Sequence, residues 1–174
     1  MTRRSLGDAG FQIKAALSLG LVAGLLLAPN LWLTSRSYPL APVFGRLRPP
    51  SPPFDYAILA ALLLLLACIA VAERPVKGIA AFLTLAVAYS LFDQTRWQPW
   101  FYQYVAMLAV LYTYFRNPSE ERRETALHGC GLIVAAVYFW SGIHKLNSGF
   151  ANDVLPILLK PFHVNVSQLS SGWL

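Results

Sequence analysis

The sequence alternates between long apolar blocks and short polar segments. Five blocks, at 15–34, 56–72, 78–92, 99–115 and 126–143, consist mainly of apolar residues. A helix that spans the ~30 Å hydrocarbon core of a bilayer needs about 20 such residues. Its backbone polar groups must also be satisfied within the segment, because lipid offers them no partner. The pattern therefore predicts an all-α protein, a single polytopic domain over 1–174 with about five transmembrane helices.

The polar segments have different compositions. Residues 35–54 hold six prolines and three arginines, and proline cannot continue a regular helix, so this stretch is predicted to be a loop or a membrane-surface segment. Beyond Lys145, a mixed segment interrupted by Pro156 and Pro161 predicts a short interfacial helix at 151–160. The chain ends on Gly172, Trp173 and Leu174, and we expect the sequence to continue in a longer protein.

Composition supports a membrane protein and excludes other classes. Hydrophobic residues make up 56% and charged residues 13%, whereas a soluble domain carries about 25% charged residues. The net charge of +6 is scattered through the loops, so we expect the lipid bilayer as a partner and no nucleic acid. Eight basic residues on the N-terminal side against six on the other predict a cytoplasmic N-terminus.

The first candidate site is the turn between the third and fourth blocks. Charge, amide and aromatic side chains meet there at a predicted membrane boundary, and a buried amide in hydrocarbon needs a partner. If this stretch is helical, Arg96, Trp100 and Gln103 share one face. The alternative is a set of interfacial anchors with an Asp93–Arg96 salt bridge. The candidate substrate-binding residues are Arg96, Trp97, Trp100 and Gln103.

The second candidate site is the end of the fifth block. On a continuing helix Tyr138, Ser141 and Lys145 form one stripe, which predicts that Tyr138 and Ser141 bind substrate. A lysine partly removed from water gives up its proton more readily and can act as a general base. His144 would orient the substrate or relay a proton. The alternative is a lysine that reaches the headgroups beside an interfacial histidine. We expect both candidate segments on one membrane face.

The stretch from Ser141 to Asn147, Ser-Gly-Ile-His-Lys-Leu-Asn, with an aromatic helix before it and Phe150 after it, resembles a known segment. It is similar to the catalytic-lysine segment of the vitamin K-dependent gamma-carboxylases and their bacterial relatives, the horizontally transferred transmembrane domain proteins. Lys145 falls on their lysine. The resemblance would cover their N-terminal membrane half and implies a bacterial inner-membrane protein.

The resemblance also implies a cofactor class. In the carboxylases this region deprotonates reduced vitamin K so that oxygen can attack it, and the strong base that results makes a glutamate carbanion that takes up carbon dioxide. Here a reduced quinone such as vitamin K hydroquinone is the implied partner. The family has a histidine after the tryptophan of its aromatic turn, whereas this chain reads Trp97-Gln98-Pro99-Trp100. Glutamate carboxylation is therefore not carried over.

Two other classes stay open. One is a small DoxX-like membrane protein of quinone or thiol redox chemistry, and the other is a non-catalytic binding, assembly or transport protein. Cys68 and Cys130 form no CxxC pair. His128 and Cys130, two positions apart on a helix, point away from each other, and His163 stands alone, so no metal site is predicted. The sequence does not fix the oligomeric state.

Overall fold

The computed structural model of the protein describes residues 9–36 and 39–162, and these residues form helices, turns and irregular segments without a strand. The predicted all-α class is confirmed. The α-helices are α1 (Ala9–Leu27), α2 (Pro52–Val71), α3 (Val76–Ser90), α4 (Pro99–Arg116), α5 (Glu120–His144) and α6 (Leu155–Leu159). Some residues discussed above lie outside the described residues: Arg3 and Arg4, which are among the eight basic residues counted on the N-terminal side, His163, and the chain end at 172–174.

Prolines mark where helices begin and end. A proline in the first turn of a helix loses no intrahelical hydrogen bond, and α2 begins at Pro52 while α4 begins at Pro99. Helix α1 ends at Leu27, and Pro29 opens a 3₁₀ turn, Pro29–Leu31. The proline-rich stretch predicted to lack a regular helix does lack one from 39 to 51.

Three described helices are long and apolar enough to cross a membrane: α1, α2 and α5. The sequence predicted about five. Helix α3 has 15 residues, about 22 Å at 1.5 Å per residue, because the polar turn that holds Asp93 and Arg96 follows it directly. Helix α4 has 18 residues but carries tyrosines and a glutamine that lower its hydropathy. On length and composition, these two helices do not qualify as spans.

Large apolar side chains cover the outside of the long helices. Leu64 of α2 is 67% exposed, and Leu132, in the apolar part of α5 that follows its charged first turns, is 72% exposed. Contiguous exposed apolar surface of this kind marks contact with lipid or with another protein. Together with the three span-length helices, it identifies a membrane protein.

The described chain forms two compact units, Met1–Ile133 and Val134–Leu174. In the first unit, helices α1 to α4 enclose a core of fully buried apolar side chains. Its members are Leu21, Leu25, Leu62, Leu66, Ile79, Phe82, Phe101, Leu108 and Leu111. The first half of α5 joins this unit, with the Cys130 thiol 3.8 Å from the carbonyl oxygen of Met107.

Two glycines bring α1 and α4 together. A Cβ at Gly20 would lie 2.6 Å from the ring of Tyr104, and a Cβ at Gly24 would lie 2.5 Å from the ring of Trp100. The spacing Gly-x-x-x-Gly on α1 matches the spacing of four between the two aromatic residues on α4. Small residues at this spacing let membrane helices approach closely.

The second unit contains the end of α5 and the turns that follow it. A π-helical turn, Phe150–Val154, leads into the short α6. This region coincides with the predicted helix at 151–160, so a helical segment is present there, built from two short pieces. The prolines at 156 and 161 explain why no longer helix forms.

Candidate functional site

A cluster of buried polar side chains lies at one end of the first unit. It forms where the turn after α1, the start of α2, the end of α3 and the 3₁₀ turn Gln94–Arg96 meet. The polar end cluster consists of Arg36, Asp55, Tyr89, Asp93 and Arg96. Two arginines face two aspartates there, so the cluster carries no net formal charge. Charged groups removed from water require such pairing.

Arg96 is fully buried, and its guanidinium donates to main-chain carbonyls. Nε donates to Leu31 O at 3.2 Å, Nη1 to Tyr89 O at 2.6 Å and Nη2 to Trp32 O at 3.4 Å. The Tyr89 carbonyl belongs to the last turn of α3, where helical carbonyls lack intrahelical partners. Arg96 therefore caps α3 and ties it to the turn after α1.

The ring of Tyr89 also packs against Arg96. The guanidinium carbon lies 3.6 Å from the ring centroid, and the Tyr89 hydroxyl donates to Trp32 O. Burial lowers the pKa of the Arg96 guanidinium from its ordinary value, although an arginine remains protonated in proteins. The side chain thus acts as a permanent buried cation with its donors directed at the backbone.

Asp93 connects the proline-rich loop to the turn between α3 and α4. Its Oδ2 lies 2.6 Å from Nη1 of Arg36, and both side chains are at most 1% exposed. Its Oδ1 accepts from the Thr95 N–H and hydroxyl and from the Ala41 N–H. Main-chain bonds from Gln94 N to Ala41 O and from Val43 N to Leu91 O run alongside. A single carboxylate therefore fixes the loop over the end of the bundle.

Asp55 holds the turn after α1 from the first turn of α2. Its Oδ2 accepts from the Thr34 N–H and from the Thr34 hydroxyl, each at 2.6 Å. The negative charge lies near the N-terminus of α2, where the helix dipole favours it. The Oδ1 of Asp55 and the Nε1 of Trp32 are buried without a hydrogen-bond partner in the described residues.

The structure places the first set of predicted site residues in and beside this cluster. Arg96 does not share a helical face with Trp100 and Gln103, because α4 begins only at Pro99. Asp93 pairs with Arg36, so the alternative Asp93–Arg96 salt bridge is not formed. Trp97 and Trp100 are half-buried against Phe101, with ring centroids 6.0 and 5.7 Å from it. Gln103 is half-buried, and substrate binding by this set stays a prediction.

The second set lies in the other unit, on and after the end of α5. Tyr138, Ser141 and His144 are exposed on the helix, and α5 ends at His144, one residue beyond the predicted end of the block. Lys145 follows in a turn, and in the described chain it is exposed, so no protein group covers it as a lysine partly removed from water would require; its N–H donates to Gly142 O at 3.0 Å. Its ammonium lies 6.0 Å from the Phe150 ring centroid. That this segment shares a membrane face with Arg96 also stays a prediction.

Asn147 shapes the chain after Lys145. Its side-chain amide donates to the carbonyl of His144, the last residue of α5, and its Oδ1 accepts from Phe150 N–H at 2.7 Å. One side chain therefore closes one helix and starts the next turn, in the manner of capping asparagines. This reversal brings the Phe150 ring near Lys145.

Sequence reasoning missed several residues that the fold uses. Trp32, Arg36, Asp55 and Tyr89 join the polar end cluster, and Lys14 is fully buried near the other end of α1. Lys14 Nζ donates to the carbonyl of Ala72 just after α2, at 2.5 Å, and lies 4.0 Å from the Phe11 ring centroid. The signals available in the sequence were the position of Lys14 next to one apolar block and of Asp55 at the start of another.

Comparison of the chain with protein-family models, with curated proteins and with solved structures finds no match. Among residues 9–36 and 39–162, no group of three or more His, Cys, Asp or Glu side chains is arranged to hold a metal ion.

Proposed function

We propose that five helices of this protein cross the membrane, α3 and α4 in addition to the three long ones. The support is that α3 and α4 both extend between the same two ends of the first unit. Helix α3 starts shortly after Ala72, which Lys14 contacts, and Tyr89 in its last turn contacts Trp32. In the first turn of α4, Phe101 packs against Trp32, and in its last turn the Phe115 ring centroid lies 5.8 Å from the Lys14 ammonium.

The short helices can cross because polar residues at each end are buried by protein. The two arginines of the polar end cluster and one oxygen of Asp55 are paired or hydrogen-bonded to protein, and irregular backbone at membrane depth is tolerated where protein covers it. A span shorter than the ~30 Å hydrocarbon core is accommodated by bilayer thinning and by flanking residues. The proposal thus assigns the loop over the cluster to one membrane boundary. The basic count supports a cytoplasmic N-terminus, and the bacterial inner membrane is what the resemblance implies.

We propose further that the protein is a membrane enzyme in which Lys145 is the general base toward a lipid-soluble acidic substrate, a reduced quinone. The observation that carries this proposal is the position of Lys145 at the end of the 25-residue α5, near the Phe150 ring. Tyr138 and Trp140 add exposed aromatic surface on the same unit, at 74% and 59% exposure. Flat aromatic side chains suit a quinol ring.

The proposed chemistry is one proton transfer. The neutral ε-amine of Lys145 accepts the proton of a quinol hydroxyl and becomes an ammonium, which leaves a quinolate beside a positive charge. Ser141 and Tyr138 stand four and seven positions before Lys145, so their hydroxyls are on the helix stripe that leads to it. They would position the quinol, and His144 would orient it or pass the proton on.

Competition labelling tests this function. The protein in liposomes is treated at neutral pH with an amine-reactive reagent, with and without a reduced naphthoquinone, and labelled lysines are quantified by peptide mass spectrometry. Lys160 is the internal control, because it is an exposed lysine of the same unit. We expect the quinol to reduce labelling of Lys145 at least fivefold and to leave Lys160 unchanged, while Lys145→Arg gives the background.

Equal labelling of both lysines with and without quinol would contradict the proposal. Lys145 would then be a headgroup anchor, and the non-catalytic assembly function would be favoured. The observation that favours assembly is the exposed second half of α5, where Phe139 is 63% exposed beside Tyr138 and Trp140. A DoxX-like redox role predicts instead that the protein binds the quinone equally well with and without Lys145.

A further inference from the structure

A basic cleft opens at the end of the first unit where Lys14 is buried, away from the polar end cluster. It lies between the turn that joins α2 to α3 and the last residues of α4, and has a volume of about 490 Å³, within the range of ligand sites. Arg74, Lys77 and Arg116 line it, with Glu73 as the only carboxylate among the described lining residues. Three cations therefore face one acid in a concave space.

The three cations of the cleft form no ion pair with any residue that the structure describes. Among the residues that the structure describes, none of Arg74, Lys77 and Arg116 takes part in an ion pair. Cations gathered in a concave surface with low-dielectric walls reinforce one another's potential and attract an anion. The cleft is thus arranged for a negative group, and the described residues supply no ion-pair partner for these three cations.

The backbone of α3 adds to this potential. Helix α3 begins at Val76 after Pro75, and no side chain caps it. The first helical hydrogen bond of α3 runs from Ile79 N to Pro75 O. The N–H groups of Val76 and Lys77 come before it and have no partner within the helix. Both residues line the cleft, where the positive end of the helix dipole favours a phosphate.

The walls of the cleft indicate which anion fits. Phe115 forms an apolar side and is also 5.8 Å from the buried Lys14 ammonium. The cleft is at the ends of the apolar helices α2, α3 and α4, which is the depth of lipid headgroups in the five-span arrangement. We infer that it binds the phosphate of an anionic phospholipid, with the glycerol and upper acyl chains against the apolar wall.

Native mass spectrometry of the purified full chain in neutral detergent tests this site. Phosphatidylglycerol, phosphatidylcholine and inorganic phosphate are the probes. Each basic residue near an anionic membrane surface contributes about fivefold to binding, so Arg74→Gln/Arg116→Gln is expected to weaken phosphatidylglycerol binding roughly 25-fold. The control Arg122→Gln/Arg123→Gln removes two charges outside the cleft and is expected to change binding by less than about threefold.

The outcomes separate the alternatives. Retention of phosphatidylglycerol over phosphatidylcholine, lost only in the cleft variant, supports the site. Equal weakening in both variants, or equal binding of the two lipids, overturns it, and displacement of the lipid by millimolar inorganic phosphate assigns the cleft to a soluble anion instead. If the double variant loses helicity by circular dichroism, Lys77→Gln replaces it, with about a fivefold loss expected. The test does not involve Lys145, so its failure would not count against the proposed proton transfer.

Discussion

Replacement of Asp93 by Asn removes the negative charge that faces Arg36 and nearly preserves side-chain shape. Both side chains are at most 1% exposed, so the arginine would be left as a buried cation with its main counter-charge gone. Breaking a buried ion pair by removal of one partner costs about 3–5 kcal/mol. The amide oxygen of Asn can still accept from Thr95 and Ala41, so we expect a loss near the lower limit, about 3 kcal/mol.

Unfolding of the protein in mixed micelles by sodium dodecyl sulfate, followed by tryptophan fluorescence and circular dichroism, measures this loss. The chain offers a matched control in the exposed pair of Glu120 and Arg123, where the glutamate side chain is 67% exposed. Exposed pairs contribute about 0–1 kcal/mol, so Glu120→Gln is expected to lower the free energy of unfolding by less than 1 kcal/mol.

A double variant separates the ion pair from other effects of the substitutions. Asp93→Asn combined with Arg36→Gln is expected to cost less than the sum of the two single changes, with a coupling energy of about 1–3 kcal/mol. The reasoning is refuted if Asp93→Asn costs no more than Glu120→Gln, or if the two single changes simply add. Either result would mean that the carboxylate is not paired in the folded membrane protein.

Three other substitutions test separate contacts by the same unfolding measurement. Gly24→Ala should cost about 1–3 kcal/mol by overpacking, since its Cβ would meet the Trp100 ring at 2.5 Å. Gly131→Ala, with nothing within 4 Å, should be neutral or stabilising by up to about 1 kcal/mol; equal effects would exclude a close α1–α4 contact. Arg96→Lys should cost about 2 kcal/mol or more, because an ammonium cannot reach all three carbonyls, and a loss under 0.5 kcal/mol would contradict the capping role. Thr34→Val should cost about 1–3 kcal/mol through its lost bond to Asp55, and an unchanged midpoint would count against that bond.

Much of the helical architecture follows from local sequence. Apolar blocks end where prolines or charges begin, so the starts of α2 and α4 and the end of α5 are found within a few residues of the predicted positions. Helix α1 starts at Ala9, six residues before the predicted 15, because Lys14 is buried against Ala72 and the Phe11 ring. From the local pattern alone, Lys14 was assigned to the polar segment before the first apolar block.

The polar end cluster could not be read from local patterns. Its bonds join segments far apart in sequence, such as Arg36 with Asp93 and Arg96 with Leu31. Sequence reasoning noticed Arg96 through its aromatic surroundings but assigned it to a helix face, whereas it lies in a separate 3₁₀ turn. Asp55 lay between the predicted loop at 35–54 and the predicted block at 56–72, and its burial was not predicted. The proposed role of Lys145 rests on a short motif, whose position at the end of α5 the sequence did predict.

The most direct test of this account is the number of membrane crossings. In a variant with Cys68 and Cys130 replaced by serine, single cysteines at Gly45, Glu73, Gln94 and Asn117, all exposed, are labelled from each side of intact cells with a membrane-impermeant thiol reagent. Five crossings predict that positions 45 and 94 react from one side, and positions 73 and 117 from the other. If position 94 reacts from the same side as 73 and 117, α3 and α4 do not cross, and the five-span arrangement is wrong.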